Sequence, residues 1–428
     1  MLTAVVGINW GDEGKGRMVD LLSAEYDVIC RYQGGNNAGH TVVNDRGKFI
    51  LNLLPSGILR EEAVNVMGAG MVIDLEHLYS EITSLGEKGI KVGPENLKIS
   101  SRAFICLPYH KQQDILEEER LADRKYGSTR RGIAPVYGDK YMKKGIRMGD
   151  LLYPGSLEEK IKDIIEWKNL TLKAYSSGAG GSSEADLRDI LSWLNKFGNP
   201  LLSFITDVSA YLSQAKEDQK RILFEAQLGS LRDIDYGIYP YTTSSQTLAS
   251  YAPIGAGIPG AKLDCVIGVM KAYSSCVGEG PFAVEMSGKE AEDLREAGAE
   301  YGAATGRPRR VGAFDVPASR YGIKMQGADE IALTKLDVLS YMEKIPVCVS
   351  YEVNGKQTKS FPDGDELMCA KPVFEYLDGF KTDISACRKA SDLPKEALDY
   401  IRFIEKATGS KIKYVSVGAG RDNYLILD

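Results

Sequence analysis

Short apolar runs alternating with helical spacings over 428 residues predict an α/β protein with a large, mainly parallel central sheet flanked by helices, with helical insertions. Three observations carry the prediction. The chain opens on a β-branched apolar run at residues 2–8 that ends near glycine and reads as a buried strand. Helical spacing follows at once in Met18, Val19, Leu21 and Leu22. Runs like the first then recur to the far end of the chain.

In order, residues 28–30 read as a second strand and residues 49–54 as a third, stopped by Pro55-Ser56-Gly57. Residues 64–67 form a fourth, and Asp74 caps a helix carrying Leu75, Leu78, Ile82 and Leu85. From about 111 to 220 the texture changes to charged helical patterns at 112–123, 157–170, 185–197 and 204–216, with a glycine–serine loop at 177–183. This stretch reads as a helical insertion in one domain spanning 1–428. Strands resume at 221–224, 265–270, 331–333, 347–349 and 413–416.

The composition, 43% hydrophobic and 26% charged, is that of a globular protein long enough to bury a sizeable core. A net charge of −6 argues against a general nucleic-acid binder, which needs a basic footprint, and leaves small anionic ligands open. Seven scattered cysteines without a Cys-x-x-Cys pair imply neither a disulfide framework nor a zinc site. With no secretory leader pattern and no apolar run long enough to span a bilayer, the expectation is a cytoplasmic protein without a membrane partner.

The chemistry concentrates in a few turns. Trp10-Gly11-Asp12-Glu13-Gly14-Lys15-Gly16-Arg17 sits between strand and helix, the layout that aims backbone N–H groups at an anion, and Lys15 adds a point charge suited to phosphate. It fits neither the Walker A nor the dinucleotide pattern, so an ordinary strand-to-helix turn stays open. Asp12 can hold Mg²⁺ or take a proton, or else cap the helix. Gln33-Gly34-Gly35-Asn36-Asn37-Ala38-Gly39-His40-Thr41 is a second glycine- and amide-rich turn. Its histidine can support a leaving phosphate or make a structural hydrogen bond. His77 and His110 lie in helical contexts and read as structural. Thr334-Lys335-Leu336-Asp337 follows an apolar strand; such an aspartate can accept both guanine N–H donors, or simply cap a helix. Thr305-Gly306-Arg307-Pro308-Arg309-Arg310 is an arginine-rich loop suited to carboxylates and phosphates, or a solvated basic loop.

Together with Asp233-Ile234-Asp235 and Tyr239-Pro240, these motifs resemble adenylosuccinate synthetase, in the family's order over essentially the whole chain. The resemblance implies a fold similar to that of P-loop GTPases and a homodimer. It implies that GTP phosphorylates O6 of IMP and that L-aspartate then displaces phosphate, giving adenylosuccinate, GDP and phosphate. Carried over, Asp12 is the base at purine N1 and His40 the acid. Asp12 and the Gly39 carbonyl are Mg²⁺ ligands. Gly11, Asp12, Glu13, Gly14, Lys15, Gly16, Gly39, Thr41 and Arg309 match the GTP phosphate side. Lys335, Leu336, Asp337, Ser416, Val417 and Gly418 match the guanine pocket. Asn37, Ala38, Thr129, Lys143, Leu228, Thr243 and Arg307 match the IMP site, with Ala303, Ala304, Thr305, Gly306 and Arg307 at the aspartate.

The chain departs from the family pattern in places. After Phe224-Glu225 it reads Ala226-Gln227-Leu228-Gly229, so the glutamine expected to face the purine stands one position early, with Leu228 in its place. Lys143 and Cys276 stand where arginines are typical, Ala283-Val284 replaces Pro-Thr, and Ala304, Ala313 and Gln246 replace threonine, tryptophan and asparagine. Ala419-Gly420 replaces Pro-Asp. Most of these changes fall around the acceptor and amino-acid pockets. They keep open a relative that uses the same amination on another purine nucleotide or amine, or a GTP-binding regulator.

Overall fold

The computed structural model describes residues 1–37, 39–44, 47–176, 184–302, 306 and 308–427. Ten strands form the central sheet: β1 (Leu2–Gly7), β2 (Val28–Arg31), β3 (Val64–Met67), β4 (Leu97–Ser100), β5 (Ile205–Thr206), β6 (Ile222–Glu225), β7 (Cys265–Lys271), β8 (Glu330–Thr334), β9 (Ile412–Ser416) and β10 (Tyr424–Ile426). Their spatial order is β10-β9-β8-β7-β1-β6-β2-β3-β4-β5. Every pairing is parallel except β9 with β10. The carboxyl ends of nine strands therefore open along one edge, where an open α/β sheet binds its ligands.

All six residues of β1 are buried, as a central strand covered on both faces requires. Helix α1 (Lys15–Leu22) packs Met18, Val19 and Leu22 against Val5, Ile29, Leu223, Val269 and Ala332 from five strands. Asp74 caps α2 (Leu75–Glu87) as expected, accepting from the His77 amide. Between β4 and β6 stand α3 (Pro108–Leu121), α4 (Ile133–Tyr141), α5 (Pro154–Ser176), α6 (Leu187–Gly198) and α7 (Val208–Glu217). Buried Asp139 ties three of them together. It accepts from Lys168 Nζ at 2.7 Å and from His110 Nε2 at 3.0 Å, whose Nδ1 accepts from the Leu107 amide. His110 is thus the structural residue its context implied.

Three expectations need correction. Residues 49–54 do not join the central sheet: Gly47–Leu51 pairs antiparallel with His40–Asn44 in a separate hairpin, because only one face of it is covered. The 204–216 helix begins at Val208, since Ile205–Thr206 extends the sheet edge beside β4. Residues 347–349 belong to the long strand Lys344–Val353, whose partners lie in a second, mixed sheet. The loop at 177–183 lies outside the described residues.

Candidate active site

Beyond β1 the backbone turns left-handed at Gly11, Asp12 and Gly14 (φ +100°, +59° and +96°). Gly14 caps α1 and, among the described residues, no side-chain cap covers the first turn, an arrangement that suits anion binding. Asp12 is therefore not the helix cap. Glu13 turns inward, accepting from the Asn9 and Gly11 amides at 3.1 and 2.8 Å and from Lys15 Nζ at 2.6 Å. Both members of that ion pair are 2% exposed, so an internal counter-ion holds the lysine in the turn.

The late Thr-Lys-Leu-Asp segment lies against this turn. Thr334 Oγ1 donates to the Glu13 carbonyl at 2.6 Å. Lys335 (φ +59°) donates to the Gly298 carbonyl at 2.6 Å and to Glu300 at 2.8 Å. Arg309 pairs with Glu300 at 2.7 Å and with Asp12 at 2.9 Å. Leu336 is fully buried. Asp337 Oδ1 is buried without a hydrogen-bond partner among the described residues, and burial pushes its carboxyl up. A vacant acceptor of that kind suits a base carrying paired N–H donors. Ser416 Oγ accepts from Arg17 Nη1 at 3.1 Å and donates to the Gly418 carbonyl at 3.3 Å. The Val417 amide donates to the Asn423 carbonyl. Arg17 also donates to the Gly420 carbonyl and stacks 4.6 Å above Tyr424, and Arg421 returns to Asp20 of α1 with two bonds of 2.7 Å. The glycine turn, α1 and the 416–421 loop are thus one cross-linked body.

His40 opens the hairpin strand, with Gly39 just before it and half-buried Thr41 just after. It lies against α1 so closely that a Cβ on Gly16 would stand 2.6 Å from its own Cβ. Its Nδ1 meets Glu225, which also accepts from the Ser56 amide and hydroxyl at 2.7 Å each. Burial pushes the imidazole below its usual range while Glu225 works against that. Burial alone would raise the Glu225 carboxyl, but His40, Arg31 and the Ser56 amide bring it below the usual range.

On the acceptor side, Gln33 Nε2 donates to the Gln227 carbonyl at 2.8 Å, Gln227 Nε2 to the Gly35 carbonyl at 2.7 Å, and Ser245 to Gln33 at 2.9 Å. Asn37 Oδ1 accepts from the Gly35 amide at 3.3 Å. The Gln227 carboxamide is thus a brace for the 33–37 loop, and Leu228 (φ +58°) lies beside the phosphate turn, its Cα 3.2 Å from where a Gly11 Cβ would be. Thr129 sits in a loop shaped by two buried carboxylates of α3. Asp114 accepts from Ser128 Oγ and the Gly132 amide at 2.6 and 2.8 Å, and Glu118 from the Tyr126 and Gly127 amides at 3.2 Å. The Thr243 amide donates to the Arg232 carbonyl at 2.9 Å. Arg232 also ends 3.0 Å from Cys276 Sγ and donates to the Val277 carbonyl at 2.6 Å, so a guanidinium from another element reaches the place where the family pattern has its own arginine.

Lys143 is exposed just past α4, apart from these contacts, and Gly306 is exposed with its amide on the Gly302 carbonyl. Ala38, Ala303, Ala304, Thr305 and Arg307 lie outside the described residues. Sequence reasoning missed Glu225, Glu300, Lys271 and Arg17. For Glu225 and Lys271 a signal existed, a charged residue ending an otherwise apolar strand.

The family model described as adenylosuccinate synthetase matches residues 4–425. The chain belongs to the adenylosuccinate synthetase family. It is a GTP-dependent carbon–nitrogen ligase of purine biosynthesis that joins L-aspartate to IMP. It is 42% identical to adenylosuccinate synthetase of Caldanaerobacter subterraneus subsp. tengcongensis over 427 residues, covering 100% of this chain and 99% of that protein. It is 45% identical to adenylosuccinate synthetase 2 of Pseudoalteromonas translucida, covering 99% of each. The structure of fully ligated adenylosuccinate synthetase from Plasmodium falciparum superposes with a TM-score of 0.92 at 35% identity, covering 100% of this chain and 99% of that one. A cyanophage S-2L succinoaminodeoxyadenylate synthetase bound to dGMP and dATP shares the fold, with a TM-score of 0.61 at 19% identity over 99% and 95% of the two chains. The full-length relatives named adenylosuccinate synthetase lend no support to another nucleotide or amine.

Proposed function

We propose that the family's reaction is carried in this chain by Asp12 and His40, with GTP held between the glycine turn and the Lys335–Asp337 strand end. The observation that supports it is the run of direct contacts joining those segments: Thr334 to Glu13, and Lys335 through Glu300 and Arg309 to Asp12. A single nucleotide can touch both. Asp12 takes the N1 proton of IMP, which makes O6 nucleophilic toward the γ-phosphorus. His40, held by Glu225, donates a hydrogen bond to the phosphoryl group in transfer. Phosphate on O6 then becomes the leaving group that the amine of aspartate displaces. Lys15 and the turn amides hold phosphate oxygens, Asp337 accepts from guanine, and Arg309 borders the phosphates.

Asp12, 31% exposed in its side chain, offers a hard oxygen at the turn and with the Gly39 carbonyl would hold Mg²⁺. That ion, when bound, neutralises phosphate charge. Asn37, Ala38, Thr129, Lys143, Leu228, Thr243 and Arg307 serve IMP, and Ala303, Ala304, Thr305, Gly306 and Arg307 serve aspartate. Exposed Lys143 fits a contribution across a homodimer. The chain acts as one domain with 111–220 as a helical insertion. The seven free cysteines suit the cytoplasm, and among the described residues no helix is long and apolar enough to cross a membrane. Phosphate release from GTP over a panel of purine nucleotides and amines tests the reading: turnover with IMP and aspartate is expected, and turnover only with another pair refutes it.

A further inference from the structure

Glu300 lies outside every motif that pointed to the site, is fully buried, and touches both of its ends. Its two oxygens face different ways. Oε1 accepts from Lys271 Nζ at 2.7 Å, from Lys335 Nζ at 2.8 Å and from the Tyr273 hydroxyl. Oε2 accepts from Arg309 Nη1 at 2.7 Å, and Arg309 reaches on to Asp12 at 2.9 Å. The route from the guanine side to the phosphate turn is therefore a chain of charge contacts through one carboxylate. The same residue pins the neck of the 301–308 segment: its carbonyl accepts from the Arg309 amide at 2.9 Å, and Tyr301 bridges Pro308.

Three cations gathered around one buried carboxylate repel one another, and only an ionised partner among them makes the arrangement stable. They in turn keep that partner ionised. Burial works to raise the Glu300 carboxyl, yet Lys271, Lys335 and Arg309 hold it well below the usual carboxylate range. Lys271, fully buried, is brought down to about 8 by burial against the pull of Glu300.

We propose that Glu300 is a positioning residue that aligns the two ends of GTP, one buried carboxylate setting Lys335 against the base and Arg309 against the phosphate turn. It touches no substrate. The proposal rests on the reading of the site as a GTP site.

Glu300→Gln keeps the shape but turns one oxygen into an N–H₂ that must face a cation. GDP affinity by titration calorimetry and kcat by phosphate release are measured for wild type, Glu300→Gln, Lys335→Met and the double variant. GDP affinity is expected to fall about tenfold in each single variant and by no more than about twofold further in the double, with kcat of Glu300→Gln down about 100-fold. Losses that multiply to about 100-fold in the double overturn the proposal, because the two residues then act independently. Wild-type kcat and GDP affinity in Glu300→Gln overturn it as well. If Glu300→Gln does not fold, Glu300→Asp, with its charge withdrawn by one methylene, goes through the same cycle with the same two outcomes. A wild-type chain that binds no GDP overturns the site reading and this proposal together. Tight wild-type GDP binding without the coupling leaves the site reading standing and overturns the proposal alone.

Discussion

Around the phosphate turn the cross-links are charged, Lys15 to Glu13, Lys335 and Arg309 to Glu300, Arg421 to Asp20, whereas around the acceptor loop they are neutral amides, Gln33 to Gln227 to Gly35 and Ser245 to Gln33. Both sets are largely buried. On the proposed reading of the site, the difference follows from what each half receives. A triphosphate needs several cations close together, and those cations are stable in a dry site only beside internal counter-ions. A purine base needs fixed donors and acceptors, which amides supply without a charge to balance. Most departures from the family pattern follow the same divide, with Ala419-Gly420 beside Arg17 as an exception. Leu228, Cys276 and Ala313 stand on the acceptor side, where Cys276 and Ala313 pack with Trp10 and Phe282, while the charged contacts remain whole.

Perturbing each half separately sharpens that contrast. Asp12→Asn, on the charged side, is expected to lower kcat by about 10³-fold with the circular dichroism spectrum unchanged; a near wild-type rate would break the assignment. Glu225→Gln leaves His40 without its ionised partner and should cost about 10² in kcat, with a smaller change in KM for GTP, both read by steady-state kinetics. Asp337→Asn should lower kcat/KM for GTP by about 10²-fold and favour xanthosine triphosphate, whose C2 carbonyl accepts from the new amide; unchanged base preference would place guanine elsewhere. Gly16→Ala pushes a Cβ into His40 and should lower kcat about tenfold, read by phosphate release. Leu228→Gln adds one hydrogen-bonding group on the acceptor side, and the expected fall in KM for IMP is at most about fivefold.

Much of this was legible in the residues themselves. Apolar runs located β1, β2, β3, β6, β7, β8 and β9, because a parallel strand covered on both faces is apolar over most of its length, with Arg31, Asn65 and Glu225 among the exceptions. The glycines announced a left-handed turn, since glycine at Gly11 and Gly14 is what positive φ calls for. Residues 49–54 misled for the reason that helped elsewhere: an apolar run does not say whether its partner lies in the main sheet or in its own hairpin.

The sequence by itself determined most of the strand-and-helix series, the glycine turn after β1, the Thr334–Asp337 tetrapeptide at a strand end and the family, since each is written in residues close together along the chain. Only the tertiary structure decided that Glu300 sits between Lys335 and Arg309, that Glu225 holds His40, and that Arg232 reaches Cys276. Those pairings join residues up to 185 positions apart. A charge acts through distance in space, and chain order carries no measure of that until the sheet has closed.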